Sequence, residues 1–194
     1  IIFLLFLFIV CFLLPNFLFV KGEWKEKNDF LKFNVWVAVF TAIAAVGSRL
    51  DTYLSGRYLT LSEVGAYSIG VTLVSLVTQI VLALGSVVAP KISQMNEKKT
   101  AAAYLKKLQL FVTVLAVGGT AIGIPFGIVL IPLIYGSAYV SSIIPFIILL
   151  IGQAIFLLAV PAHMAVLYYF SNPRIFVYVT TTRLIMTFFV GSVL

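Results

Sequence analysis

The sequence predicts an all-α, polytopic membrane protein with six transmembrane helices. Three observations lead there. Hydrophobic residues make up 62% of the 194 positions and charged residues only 10%, against about 45–50% and 25% in soluble domains. The apolar residues gather into six runs, each long enough to cross a hydrocarbon core of ~30 Å at about 1.5 Å per residue. Most of the basic residues fall at or beyond the ends of the runs, concentrated on alternate sides.

The runs are Ile1–Val20, Phe33–Ser55, Leu61–Ala89, Tyr104–Ile131, Tyr139–Phe170 and Ile175–Leu194. The first is uncharged and Phe-rich, with Pro15 as an expected kink. It has no basic leader and no small-residue cleavage site near Val20, so it does not read as a signal peptide. Its Cys11 is the only cysteine, which rules out a disulfide framework or a thiol metal site within the chain. The basic stretch KGEWKEKNDFLK follows and is read as a loop. Trp36 then stands where an interfacial aromatic belongs. Gly56 is expected to stop the second helix. Thr60 and Glu63 have capping-box spacing for the start of the third. Pro90 is expected to end that helix, and KISQMNEKKTAAAYLKK reads as a second basic loop.

Run four carries Gly119, Gly123 and Gly127 at four-residue spacing, which predicts one glycine face for close approach of another helix. Pro125, Pro132 and the turn Tyr135-Gly136-Ser137 follow. Run five holds Pro145 and Pro161, so tilt or kinking is expected. Ser171-Asn172-Pro173 and Arg174 lead into run six. The chain begins without Met and ends inside an apolar run, and is read as a fragment of a longer protein.

The net charge of +7 does not point to nucleic acid, because its distribution is that of membrane topology. Ten basic residues, in Lys21–Lys32, in Lys91–Lys107 and at Arg174, lie on one side, and Arg57 alone lies in the loops of the other. The positive-inside rule places the basic side in the cytoplasm. Tyr53, Tyr58, Tyr135 and Tyr139 then mark the outer interface, and Trp36, Tyr104, Tyr168 and Tyr169 the inner one.

Polar residues within the runs are the candidate functional residues, since a charge there costs about 2.5–3.5 kcal/mol on insertion scales. Arg49 and Asp51 are two residues apart and point about 200° apart on a helix, so they cannot pair. Asp51 lies in the last turn, where the helix dipole disfavours a carboxylate, and something must offset that. Both residues read either as lining a cavity or as snorkelling to the outer interface, with Arg49 about 26 Å from the level of Lys32. Arg183 lies about 14 Å beyond Arg174, near the bilayer middle and too deep to snorkel easily. Its guanidinium suits a diphosphate; the alternative is hydrogen bonding to carbonyls freed at a kink. Gln79 and Gln153 are near mid-membrane, where an amide either joins helices or touches a ligand. His163 has no second ligand nearby and is no metal site; it reads as an interfacial hydrogen-bonding group or a proton relay.

Runs two to six resemble the C-terminal half of polysaccharide and O-antigen exporters of the multidrug/oligosaccharidyl-lipid/polysaccharide exporter superfamily. The resemblance rests on Asp51 in RLDTYLSGRYL, on Glu63-Val64-Gly65-Ala66-Tyr67-Ser68, on Ala89-Pro90-Lys91-Ile92-Ser93, and on Tyr135-Gly136-Ser137-Ala138-Tyr139. It implies a two-lobed, V-shaped flippase fold of twelve to fourteen helices. Residues 1–20 would be the last helix of the N-terminal lobe, 21–32 a cytoplasmic inter-lobe linker, and 33–194 the first five helices of the C-terminal lobe. It also implies a multi-pass protein of a prokaryotic plasma (inner) membrane that flips polyprenyl-diphosphate-linked oligosaccharide for O-antigen, lipopolysaccharide or other surface polysaccharide. The expected contacts are membrane lipid, the lipid-linked substrate and the polysaccharide polymerase machinery. No cofactor is expected, and coupling would be to H+ or Na+. The substrate path would run by Arg183, Arg49, Asp51, Gln79 and Gln153. A cation-coupled multidrug antiporter of the same superfamily is the alternative. A membrane-embedded glycosyltransferase or ligase fits less well, because the sequence offers no acidic cluster on a sizeable loop.

Overall fold

The computed structural model describes residues 24–193, and the described residues form helices with no strand among them. Run one, with Cys11 and Pro15, lies outside them, as does the start of the basic stretch at Lys21. Five long helices follow one another: α1 (Trp24–Tyr58), α2 (Leu61–Ser93), α3 (Lys98–Tyr135), α4 (Ile143–Met164) and α5 (Arg174–Val193). A 3₁₀ segment, Ser137–Ser142, leads into α4, and a π-helical segment, Ala165–Tyr169, extends it. Five spans are long and apolar enough to cross a membrane: Asn28–Tyr58, Leu61–Ser93, Lys98–Tyr135, Ser137–Tyr169 and Arg174–Gly191. Large apolar side chains such as Phe30, Leu76, Leu110, Ile148 and Val179 stand exposed on every one of them. This is the outer surface of a protein whose solvent is lipid.

The helices run past the expected boundaries. The stretch read as a loop up to Lys32 is helical from Trp24, because its Lys, Glu and Trp residues continue the helix at little cost once a long apolar helix follows. Gly56 does not stop α1, which ends two residues later at Tyr58. Pro90 lies within α2, which continues to Ser93. A proline there removes one hydrogen bond of the last turns, and the extra turn buries Ile92 completely. The second basic loop shrinks accordingly to residues 94–97.

Packing divides the helices into two groups. α1 lies along α5, and α4 is flanked by α2 and α3. In the first group the contacts climb together: Trp36 with Arg174, Phe40 with Phe176, Gly47 with Leu184, Leu54 with Gly191. The two helices are therefore parallel, and residues 40, 47 and 54 share one face at seven-residue spacing. In the second group α2 runs parallel to α4, with Gly70 near Phe146 and Gly85 near Met164. α3 is antiparallel to α4. Val88, Ile92, Leu108, Val112, Leu157 and Val160 form the larger core, and Val74, Ile131, Phe146 and Leu150 the second.

The glycine row on α3 is used unequally. A side chain at Gly127 would overlap the Phe146 ring, with Cδ1 and Cζ at 2.8 Å. One at Gly123 would meet Leu150 Cδ2 at 3.0 Å, and one at Gly119 would meet nothing within 4 Å. The helix partner expected for all three is thus close at two. Beside Gly119 a small cavity remains, where α4 presents Ala154 between Leu150 and Leu157, and the two helices pack again at Val112, Ala116, Leu157 and Val160. Pro161 is followed by the widened π turn, in which Phe170 N–H donates to Ala165 O at 3.0 Å. Gly136, with φ of 90°, makes the sharp exit from α3 that a Cβ would disfavour.

Candidate functional site: a cleft between the two helix groups

The α1–α2 turn builds the outer end of the site. Thr60 N–H donates to Glu63 Oε2 at 2.8 Å, and Glu63 N–H donates to Thr60 Oγ1 at 3.4 Å. This is the capping box expected from the spacing. It starts α2 immediately after α1 ends, so the first turns of α2 lie against the last turns of α1. Tyr67 O–H then reaches back and donates to Asp51 Oδ2 at 3.0 Å. Because α1 continues to Tyr58, Asp51 stands about two turns inside the helix and escapes the dipole penalty expected of a last-turn carboxylate. What the bond offsets is the cost of a charge within an apolar span: a hydrogen bond to a charged group contributes about 1.5–3 kcal/mol.

Asp51, Ser55, Tyr58, Tyr67, Thr187 and Val190 line a cleft of about 490 Å³ between α1, the start of α2 and the end of α5. Its walls are mostly apolar, with Leu54 and Met186 among them. The opposite end of the gap is closed by rings. Phe176 of α5 stacks on His163 of α4 at 4.0 Å between centroids and meets Phe40 of α1 at 5.6 Å. The two helix groups therefore touch at both ends of the spans, through Asp51–Tyr67 and through Phe176–His163.

Arg183 lies between these ends, at the middle of α5. It follows Phe176 by seven residues and precedes Thr187 and Val190 by four and seven. All four lie on one α5 stripe, the stripe that faces α4 at one end and the cleft at the other. The Arg183 side chain is exposed and has no hydrogen-bond or ion-pair partner among the described residues.

The other candidates separate. Arg49 sits two residues past Gly47, on the side of α1 turned away from α5, and does not line the cleft. Gln79 is exposed on the side of α2 away from α4. Gln153 Nε2 donates to Thr78 Oγ1 at 3.4 Å and so ties α4 to α2. Gln109, which the sequence reading passed over, donates from Nε2 to Leu158 O at 3.1 Å and ties α3 to α4. The available signal was its place on the periodic face with Leu105, Leu108 and Val112. His163 makes a ring stack where an interfacial hydrogen bond was expected.

A family model described as polysaccharide biosynthesis protein matches residues 2–144. The chain belongs to that family. In this polysaccharide biosynthesis protein the match takes in run one, α1, α2, α3 and the 3₁₀ segment, and with them Arg49, Asp51, Tyr67 and Gln79. Gln153 and Arg183 lie beyond the matched residues. No curated protein and no solved structure matches the chain.

The Asp51–Tyr67 bond has a measurable value. Tyr67→Phe is expected to lower unfolding stability in detergent by about 1.5–3 kcal/mol, and Asp51→Ala, which leaves no acceptor, by a similar amount. The double variant should lose little more than either single one, because both changes remove the same bond. Additive losses in thermal unfolding would show that the two side chains do not interact.

Proposed function

We propose that the chain forms part of a transporter that flips a polyprenyl-diphosphate-linked oligosaccharide, such as an O-antigen or other polysaccharide repeat unit, across the plasma (inner) membrane of a prokaryote. The basic ends of its spans lie in the cytoplasm in this reading. The observation that carries it is Arg183: a permanent cation at mid-span, without a protein partner among the described residues, on the α5 stripe that borders the cleft. Membership of a polysaccharide biosynthesis family supports a saccharide-bearing cargo.

Transport in this reading makes and breaks no bond. A diphosphate entering an apolar layer loses hydration worth many kcal/mol, and a guanidinium on the path replaces part of it through paired hydrogen bonds. Asp51, at the far mouth of the cleft, opposes a lingering anion there and favours release. The same carboxylate is where a coupling H+ or Na+ would be held. It also supports the second reading, a cation-coupled multidrug antiporter, since a carboxylate in an apolar cleft is what an organic cation needs.

Depletion of the full-length protein separates the two. Polyprenyl-diphosphate-linked repeat units should accumulate out of reach of a glycosidase added to intact cells, and re-expression should restore cleavage. An antiporter would leave that pool unchanged and alter sensitivity to cationic dyes.

A further inference from the structure

We propose that the basic hollow between the end of α2 and the start of α3 is a binding site for the phosphate headgroup of an anionic membrane phospholipid. It is about 510 Å³ in volume and is lined by Lys91, Met95, Lys99, Thr100, Tyr104 and Lys107, together with Ala103. That is within the size range of small-molecule sites. On α3 the lining residues 100, 103, 104 and 107 recur at helical spacing, so two turns of one face point into the same space. Lys91 reaches across from α2 and stands 4.9 Å over the Tyr104 ring, which holds the two helix ends together by a cation–π contact.

The charge is not balanced from within. Residues 91–107 contain five lysines and one acid, Glu97. The Glu97 carboxylate accepts from Thr100 Oγ1 at 2.7 Å and pairs with none of the lysines. Glu97 makes no side-chain cap on α3, so first-turn N–H groups and the positive end of a 38-residue helix also face this end. Three ammonium groups held around one hollow repel one another until an anion enters.

Position and the apolar part of the lining select a lipid. The hollow lies where the span of α2 ends at Ser93 and that of α3 begins at Lys98, which is headgroup level. Met95, Ala103 and the Tyr104 ring give a glycerol backbone an apolar surface, while the lysines meet the phosphate. Each lysine at the surface of an anionic membrane contributes about 1 kcal/mol, so three convert to an affinity difference of about 100-fold. This inference does not depend on the transport reading.

The test uses the full chain in mild detergent with equal phosphatidylglycerol and phosphatidylcholine, and reads bound lipid by native mass spectrometry. Wild type should retain phosphatidylglycerol preferentially. The combined variant Lys91→Gln, Lys99→Gln, Lys107→Gln should bind it about 100-fold more weakly and lose the preference, while arginine at the same three positions should keep it. Lys98→Gln with Lys106→Gln removes two nearby charges that do not line the hollow, and should leave binding within about twofold. Equal losses per charge in both glutamine variants would overturn the site in favour of a diffuse basic surface. Unchanged binding in the triple variant would overturn it outright. Displacement of the lipid by millimolar inorganic phosphate would reassign the hollow to a soluble anion and overturn the lipid assignment.

Discussion

Arg183→Ala in the full-length protein is expected to abolish surface polysaccharide while leaving its membrane abundance near normal. The side chain is exposed at the midpoint of α5, and nothing in the described packing leans on it. Removing it costs the fold little. Removing one partner of a desolvated, charge-assisted pair costs about 2–5 kcal/mol, which is roughly 30-fold or more in the rate of a step that uses it. Arg183→Lys should restore export in part, since lysine keeps the charge and loses the planar fork. Surface polysaccharide measured beside protein level decides the matter. An arginine that only braces carbonyls would give low abundance with unchanged export per molecule. Normal export from the alanine variant would end the proposal.

Gly127→Leu is expected to have the largest effect on folding. A Cβ at Gly127 already overlaps the Phe146 ring, and Phe146 is itself buried with Val74, Ile131 and Leu150. The ring has nowhere to go without opening that core. Overpacking of this kind costs about 1–3 kcal/mol, enough to change cellular abundance several-fold. Gly123→Leu should be milder, because the contact is the flexible end of Leu150. Gly119→Leu should be tolerated, since no atom lies within 4 Å of its Cβ position. Equal abundance and equal thermal stability of all three variants would show that α3 and α4 do not pack as described.

The same three glycines show what was legible in the sequence. Their spacing gave a shared helix face, and a neighbour does lie on it. Spacing alone does not say what the partner places opposite, so the cavity beside Gly119, where α4 has Ala154, could not be read. Spans were legible because apolar length is a property of single segments. Their ends were not, since Pro90 and Gly56 are breakers whose local cost is outweighed by burial of residues such as Ile92. For the candidate site, the need for a partner at Asp51 followed from a charge within an apolar run; the dipole argument did not hold, because α1 runs on to Tyr58. The partner's identity did not, because Tyr67 is sixteen residues away across a turn. Pairing of α1 with α5 was likewise hidden: both helices are amphipathic only weakly, and small residues such as Gly47 and Gly191 mark the contact without naming the partner.

That pairing has a consequence for how the chain is made. Synthesis delivers helices in order from the N-terminus, and α2, α3 and α4 have one another as neighbours as soon as α4 emerges. Within this chain α1 finds its main partner only when α5, the last helix described, has been inserted. During that interval α1 is held near the others by its short turn to α2 and by the Asp51–Tyr67 bond. Of the five helices described, the earliest made is therefore the last to gain its main partner, and errors of insertion in α5 fall on α1 as well.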